Sequence, residues 1–300
     1  GLHYFDGTDH WYAAQAEGIV RLTPTGRFAY KPDGPIKNAP YALTAAQGHV
    51  WMVPGGRWSA QNEEPACVMH YDGERWTNIT DDYLKQKIQQ RALDFVNVAV
   101  DPKNKHHYFV TSYGTGLYEF DHDTLVSHAI AGSGSNTLTA ADPNTPRYYT
   151  RLDNATYDSD GNLWFLSATD NAQLQCIDKS GTWHAVTMTF GSDPVALHAP
   201  AGLFLDNRNA NYKWIATARY NTCVCLLDDG GTQWDASDDK VMLRKQWTTS
   251  NGQKFEPTSI YAMMQDDNGR VWLGTDIGAA YIETGGDYFR SDAIVQPELM

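Results

Sequence analysis

The sequence predicts an all-β fold, a β-propeller of about six four-stranded blades, and three observations carry that prediction. A unit built on an aromatic anchor recurs along the chain, the strand holding each anchor is apolar on successive residues, and the composition suits sheets. The copies read "YFDGTDHWYAAQAEGIVRL" (4–22), "LTAAQGHVWMVPGG" (43–56), "VAVDPKNKHHYFVTSYGTGLYEF" (98–120), "ATYDSDGNLWFLSATDN" (155–171), "GLFLDNRNANYKWIATARYN" (202–221) and "MMQDDNGRVWLGTDIGAAYI" (263–282). Their anchors, Trp11, Trp51, Phe109, Trp164, Trp214 and Trp272, stand 40 to 58 residues apart. That period fits one blade of four short strands. Ten Trp and seventeen Tyr among 300 residues, with few Lys- and Glu-rich blocks of the kind long helices use, suit pleated and half-buried surfaces.

Each element of the unit has a physical reason. An apolar first strand such as "IYAMMQ" meets a polar turn, where Asn268-Gly269 or Asp160-Gly161 supplies the positive φ of a tight hairpin. The second strand ("VWLGT", "LWFLS", "YFVTS", "KWIAT", "VWMVP") lacks alternation, as expected when both faces of a sheet are covered by neighbouring blades. A third strand ("GAAYIE", "GLYEFD", "AQLQCID", "PACVMHYD") and a polar edge strand ("RWTNIT", "TWHAVT", "RKQWTT") complete each blade. The blades are expected at about 1–38, 39–92, 93–147, 148–197, 198–257 and 258–300 in a single propeller domain. A seventh follows if a divergent blade lies in the long 51–109 interval. "GLHYFD" reads as an inner strand and "DYFRSDAIVQ" as the last blade's own edge, the abrupt start at Gly1-Leu2 suits a leader that has been cut away, and the domain is compatible with a fragment of a longer protein. One segment breaks the pattern. "DDYLKQKIQQRALDF" (81–95) has apolar residues at 84, 88 and 92, which predicts a short helix capped by Asp between the second and third blades.

Several functions are disfavoured. A net charge of -13 argues against nucleic-acid or anionic-membrane binding, which needs clustered Lys and Arg. No apolar run reaches bilayer length, and residues 1–20 lack a signal-peptide layout. Cys67, Cys176, Cys223 and Cys225 are each expected in a strand as small hydrophobes, with neither a metal pair nor a disulfide framework. Asp266 and Asp267 read as turn residues, since "DDNGRVWLGTDI" lacks the alternating ligands and terminal Glu of a calcium loop.

The unit D-x-x-G-x-[LV]-W-[LFI]-G-T-x-x-G-[LA] resembles the repeat of two-component-regulator propellers of bacterial surface and periplasmic sensors. A further likeness runs from Asn136 to Ala280. There "SNTLTAADPNTPRYYTRLDNATYDSDGNLWFLSATD", "YKWIATAR" and "DDNGRVWLGTDIGAAYI" are similar to PorZ-like propellers of the type IX secretion attachment complex. The resemblance implies an exported, non-enzymatic propeller, periplasmic or at the cell surface, with no cofactor. Its partners would be a surface polysaccharide or envelope proteins of a secretion or sensing assembly. It transfers no individual binding residue, and such proteins usually run longer and carry a further domain.

A site is expected where the connections after each blade's second strand gather round one mouth of the channel. The residues falling there are Gln15, Glu17, Arg57, Trp58, Tyr113, Asp170, Asn171, Arg219, Tyr220 and Asp276. Aromatic rings beside Arg, Asn and Asp suit a sugar, whose ring faces stack while its hydroxyls take hydrogen bonds. Two alternatives stand. In a metal-dependent hydrolase of the propeller-lactonase type, or a propeller lyase, Glu17, Asn171 and Asp276 would be the oxygen ligands near the axis. No Gly-x-Ser-x-Gly, His-Glu-x-x-His or phosphate loop is present, so catalysis is the lesser expectation and no metal is assigned. The other alternative is a structural module of a larger sensor.

Overall fold

Because the connections within each unit are short, consecutive strands pair as antiparallel neighbours and every unit becomes a four-stranded meander. The computed structural model describes residues 2–14, 17–58, 62–168, 173–191, 193–195, 197, 199–218, 221–283, 287–289 and 294–297. Six such sheets follow in chain order. Their first strands are His3–Phe5, Ala42–Ala46, Phe95–Asp101, Leu152–Tyr157, Pro200–Leu205 and Ile260–Gln265. The anchors lie on the second strands, His10–Ala14, His49–Val53, Asn104–Ser112, Leu163–Ser167, Tyr212–Thr217 and Val271–Thr275. The last blade completes itself with Ile294–Pro297, antiparallel to Gly278–Glu283. Among the described residues no helix is long and apolar enough to cross a membrane.

The core lies between blades. Trp51 packs with Tyr108, Val110 and Phe120 of the third blade. Phe109 and Leu117 pack with Leu152, Leu163 and Phe165 of the fourth. Trp164 and Cys176 meet Ile215, Cys225 and Leu227 of the fifth. Trp214 and Leu226 meet Leu273 and Ile282 of the sixth. Each anchor thus covers the face of the next sheet, and burying one such side chain is worth about 2–3 kcal/mol. Two anchors differ. Trp11 and Trp272 are only half-buried. The strands of the first sheet pack chiefly on one another. Leu43, on the second blade's first strand, is 59% exposed, and Tyr261 on the sixth blade's first strand is 71% exposed. The chain leaving the first sheet runs instead along the second blade's edge strand. There Asp33 accepts from the Trp76 backbone N–H (3.0 Å) and the Gly34 carbonyl accepts from Asn78 Nδ2 (3.1 Å).

The turn that opens each unit also holds its anchor. Asp266 Oδ1 accepts from the backbone N–H groups of Asn268 and Arg270, while Oδ2 accepts from Trp272 Nε1 at 2.9 Å. Asp6, Asp158 and Asp206 repeat the bond with Trp11, Trp164 and Trp214 at 2.8, 2.8 and 3.0 Å. Register sets it up, because each anchor pairs with the residue two before the aspartate: Tyr4, Thr156, Phe204 and Met264. In the second blade that position is Ala46, and Trp51 Nε1 is buried without a partner. The third blade keeps the carboxylate, Asp101, but carries Phe109 in place of the indole.

Three expectations need correction. The helix spans only Asp81–Ile88, and its cap is Thr80, not an aspartate; Thr80 Oγ1 accepts from the Tyr83 N–H. Gln89 in a left-handed conformation ends it, so Ala92 is buried from outside the helix. "RKQWTT" is not one edge strand. Lys240–Arg244 closes the fifth blade, whereas Trp247–Thr249 runs parallel to Ile294–Pro297 and extends the sixth sheet, burying Trp247 there. All four cysteines are buried and free, but Cys67 and Cys223 lie one residue before their strands.

Candidate functional site

The mouth is built where the second, third and fourth blades meet. Gly55 follows the second blade's second strand, and its N–H donates to the Phe95 carbonyl at 2.8 Å. Any Cβ at Gly55 would collide with that carbonyl, so glycine is required for this close approach. The approach brings Arg57 over the fourth blade, where it forms an ion pair with the buried Asp153, and sets its guanidinium 5.8 Å from the Tyr41 ring centre. Burial pushes the Asp153 carboxyl up, with Arg57 pulling it back toward the charged form. Trp58 lies edge-on to Tyr113 at 5.8 Å between ring centres. Tyr113 is itself buried, which raises its phenol pKa and keeps it a neutral donor.

Residues outside the expected set complete the wall. Arg151, entering the fourth blade, sets its guanidinium 5.5 Å from the Tyr113 ring and 5.1 Å from the Tyr149 ring. Its Nε is buried without a partner. Tyr148 and Tyr149 project from the single turn Pro146–Tyr149. Asp94, at positive φ, accepts from the backbone N–H groups of Glu63 and Glu64 (3.1 and 2.9 Å), and burial raises its carboxyl pKa. Together with Arg91, these groups line a cavity of about 270 Å³. Such a wall offers cationic donors across aromatic faces.

Of the expected residues, Arg57, Trp58 and Tyr113 come together here. Glu17 does not join them: it forms an ion pair with Arg27 on the first sheet. Asp276 belongs to the sixth blade. It accepts from the Thr258 and Ser259 N–H groups (both 3.0 Å) and from Thr258 Oγ1 (2.6 Å). The Thr258 hydroxyl and those N–H groups hold its carboxyl below the usual range. Gln15, Asp170, Asn171, Arg219 and Tyr220 lie outside the described residues. Among the described residues no three His, Cys, Asp or Glu side chains gather as a metal site would require. Arg91, Asp94, Tyr148, Tyr149 and Arg151 lie outside the expected set because they precede first strands, whereas the expectation rests on connections after second strands. "RYYTR" (147–151), two arginines flanking two tyrosines, was the available signal.

Residues 254–276 match the two component regulator propeller model. No curated protein matches the chain by sequence. Among solved structures the chain is similar to PorZ, an essential bacterial surface component of the type IX secretion system of Porphyromonas gingivalis. The identity is 23% and the TM-score 0.80, over 97% of this chain and 39% of that one. It is also similar to the extracellular domain of a one component system from B. thetaiotaomicron, with 16% identity and TM-score 0.50 over 100% and 33% of the two chains. Virginiamycin B lyase from Staphylococcus aureus shares the fold at 13% identity and TM-score 0.55, over 99% and 83%. The chain therefore spans 39% of the PorZ chain and 33% of the sensor domain. With six sheets each built on a four-stranded meander, anchors packed blade to blade and a matched repeat in the last blade, the chain is a β-propeller that carries a two-component-regulator repeat and shares its fold with PorZ.

Proposed function

We propose that the chain is a non-enzymatic binding propeller of the cell envelope, periplasmic or surface-exposed, that holds a surface polysaccharide or an envelope protein of a secretion or sensing assembly. The observation that carries this reading is the cavity walled by Arg57, Arg91 and Arg151 together with Tyr113, Tyr148 and Tyr149. Sugar rings stack on flat apolar faces, and guanidinium groups donate to their oxygens in paired fashion. The fold shared with a surface component and with a sensor's extracellular domain supports the location.

Calorimetry with purified envelope polysaccharide, and cross-linking to envelope fractions, test this. Replacing Arg151 with Ala should weaken the interaction about tenfold or more, since a charge-assisted hydrogen bond is worth about 1.5–3 kcal/mol. Absence of binding in both assays, or binding indifferent to Arg151→Ala and Tyr149→Ala, refutes the mouth as the site. A second reading, a propeller lyase, draws on the fold shared with virginiamycin B lyase. Bond cleavage in a polysaccharide or cyclic ester incubated with the chain would favour it.

A further inference from the structure

The third blade departs from its neighbours at one position, and the departure leaves a groove. In four blades an aspartate Oδ2 accepts an anchor indole N–H at 2.8–3.0 Å. Asp101 occupies the same place, and its Oδ1 accepts from the Lys103 backbone N–H at 2.8 Å as its counterparts do from their turns. No indole reaches its Oδ2, because the anchor is Phe109. The nearest side-chain donor described there is His107 Nδ1 at 3.4 Å, longer than a well-formed bond, and His107 Nε2 is engaged by Glu119 at 2.9 Å. Asp101 and Phe109 both line a cleft of about 510 Å³ between the third and fourth blades. Leu163, Ile177, Tyr157 and Trp183 also line it.

We propose that this groove receives the tryptophan side chain of a partner polypeptide, with the incoming indole N–H donated to Asp101 Oδ2. The repeat itself defines the occupant, because the other four pairings show what an aspartate at this register holds. The rim specifies the flanking chemistry. Glu119, Asp160 and Asp178 join Asp101 as acidic groups, against Lys103, Lys179 and His107. Excess negative charge on the rim favours Lys or Arg beside the bound tryptophan. The site is separate from the mouth and stands whether or not the mouth binds a glycan.

Ligand-observed NMR and calorimetry on the whole chain test this with indole, N-methylindole and the tripeptides Lys-Trp-Lys and Glu-Trp-Glu. Indole should bind saturably, and N-methylindole, which has no N–H to donate, about tenfold more weakly. Lys-Trp-Lys should bind more tightly than Glu-Trp-Glu, with the difference shrinking as salt is added. Phe109→Trp supplies the chain's own indole and should abolish binding without lowering the melting temperature. Asp101→Asn, which keeps the side-chain size, should weaken indole binding about tenfold and provides the test if Phe109→Trp does not fold. Equal affinity for indole and N-methylindole, or binding that survives Phe109→Trp, overturns the proposal. So does a neutral oligosaccharide that binds in this groove while indole does not.

Discussion

Asp158 is bonded to the N–H of an indole that is 1% exposed, so its removal leaves a buried donor unpaired. Asp158→Ala should therefore cost about 1–3 kcal/mol, read as a lowered urea midpoint. Anchors should differ by position. Trp214→Phe removes both the bond to Asp206 and volume from a buried cluster, and should cost about 2–3 kcal/mol. The same change at the half-buried Trp272 should cost at most about 1 kcal/mol, and equal losses at the two sites would contradict this difference in burial. The anchors and the turn aspartates were legible as a repeat. The bond joining them was not, since spacing between the pairs varies from five to eight residues and only strand register shows them side by side.

At the scale of elements, the helix Asp81–Ile88 buries one side chain fully, Leu84, within the cluster joining the second and third blades, and Tyr83 and Ile88 pack against that cluster. Leu84→Ala should cost about 2–5 kcal/mol, whereas the exposed Lys85→Ala should stay within about 0.5 kcal/mol, by chemical denaturation. The strands of the second and third blades also carry a pH dependence. Burial, with His70 next to it, lowers the pKa of His49, and burial lowers that of His128, whose Nε2 lies 2.7 Å from the Thr115 carbonyl. Their stabilisation is complete above the ordinary histidine value of about 6.5 and is lost as pH falls below it, because the unfolded chain takes up those protons first. His107 acts in the opposite sense: its bond to Glu119 raises its pKa, so its contribution is full in acid and lost as pH rises through that value. Urea midpoints should fall between pH 7.5 and 5.5, and the double variant His49→Gln, His128→Asn should flatten the fall. The strand order followed from the sequence. The boundaries at 81–95 and 244–249 did not, because Gln89 ends the helix by turning left-handed where the apolar period continues, and Trp247–Thr249 is placed by pairing with the distant Ile294–Pro297.

For the whole molecule, the blade-to-blade clusters run from the second sheet to the sixth, and the first sheet is joined through the chain along the second blade's edge. The mouth exists because three consecutive blades converge there. Gly55→Ala should disturb it even though it removes no contact, lowering both stability and any ligand affinity carried by Arg57. The sequence alone determined the all-β class and the six repeats, because hydrophobic period and turn chemistry are local properties. Only the tertiary structure decided which loop residues meet. It joined Arg57 to Asp153 and Arg151 to Tyr113, left Glu17 and Asp276 with partners of their own, and opened a groove beside Phe109. Convergence of that kind depends on how each sheet sits against the next, and no single repeat encodes it.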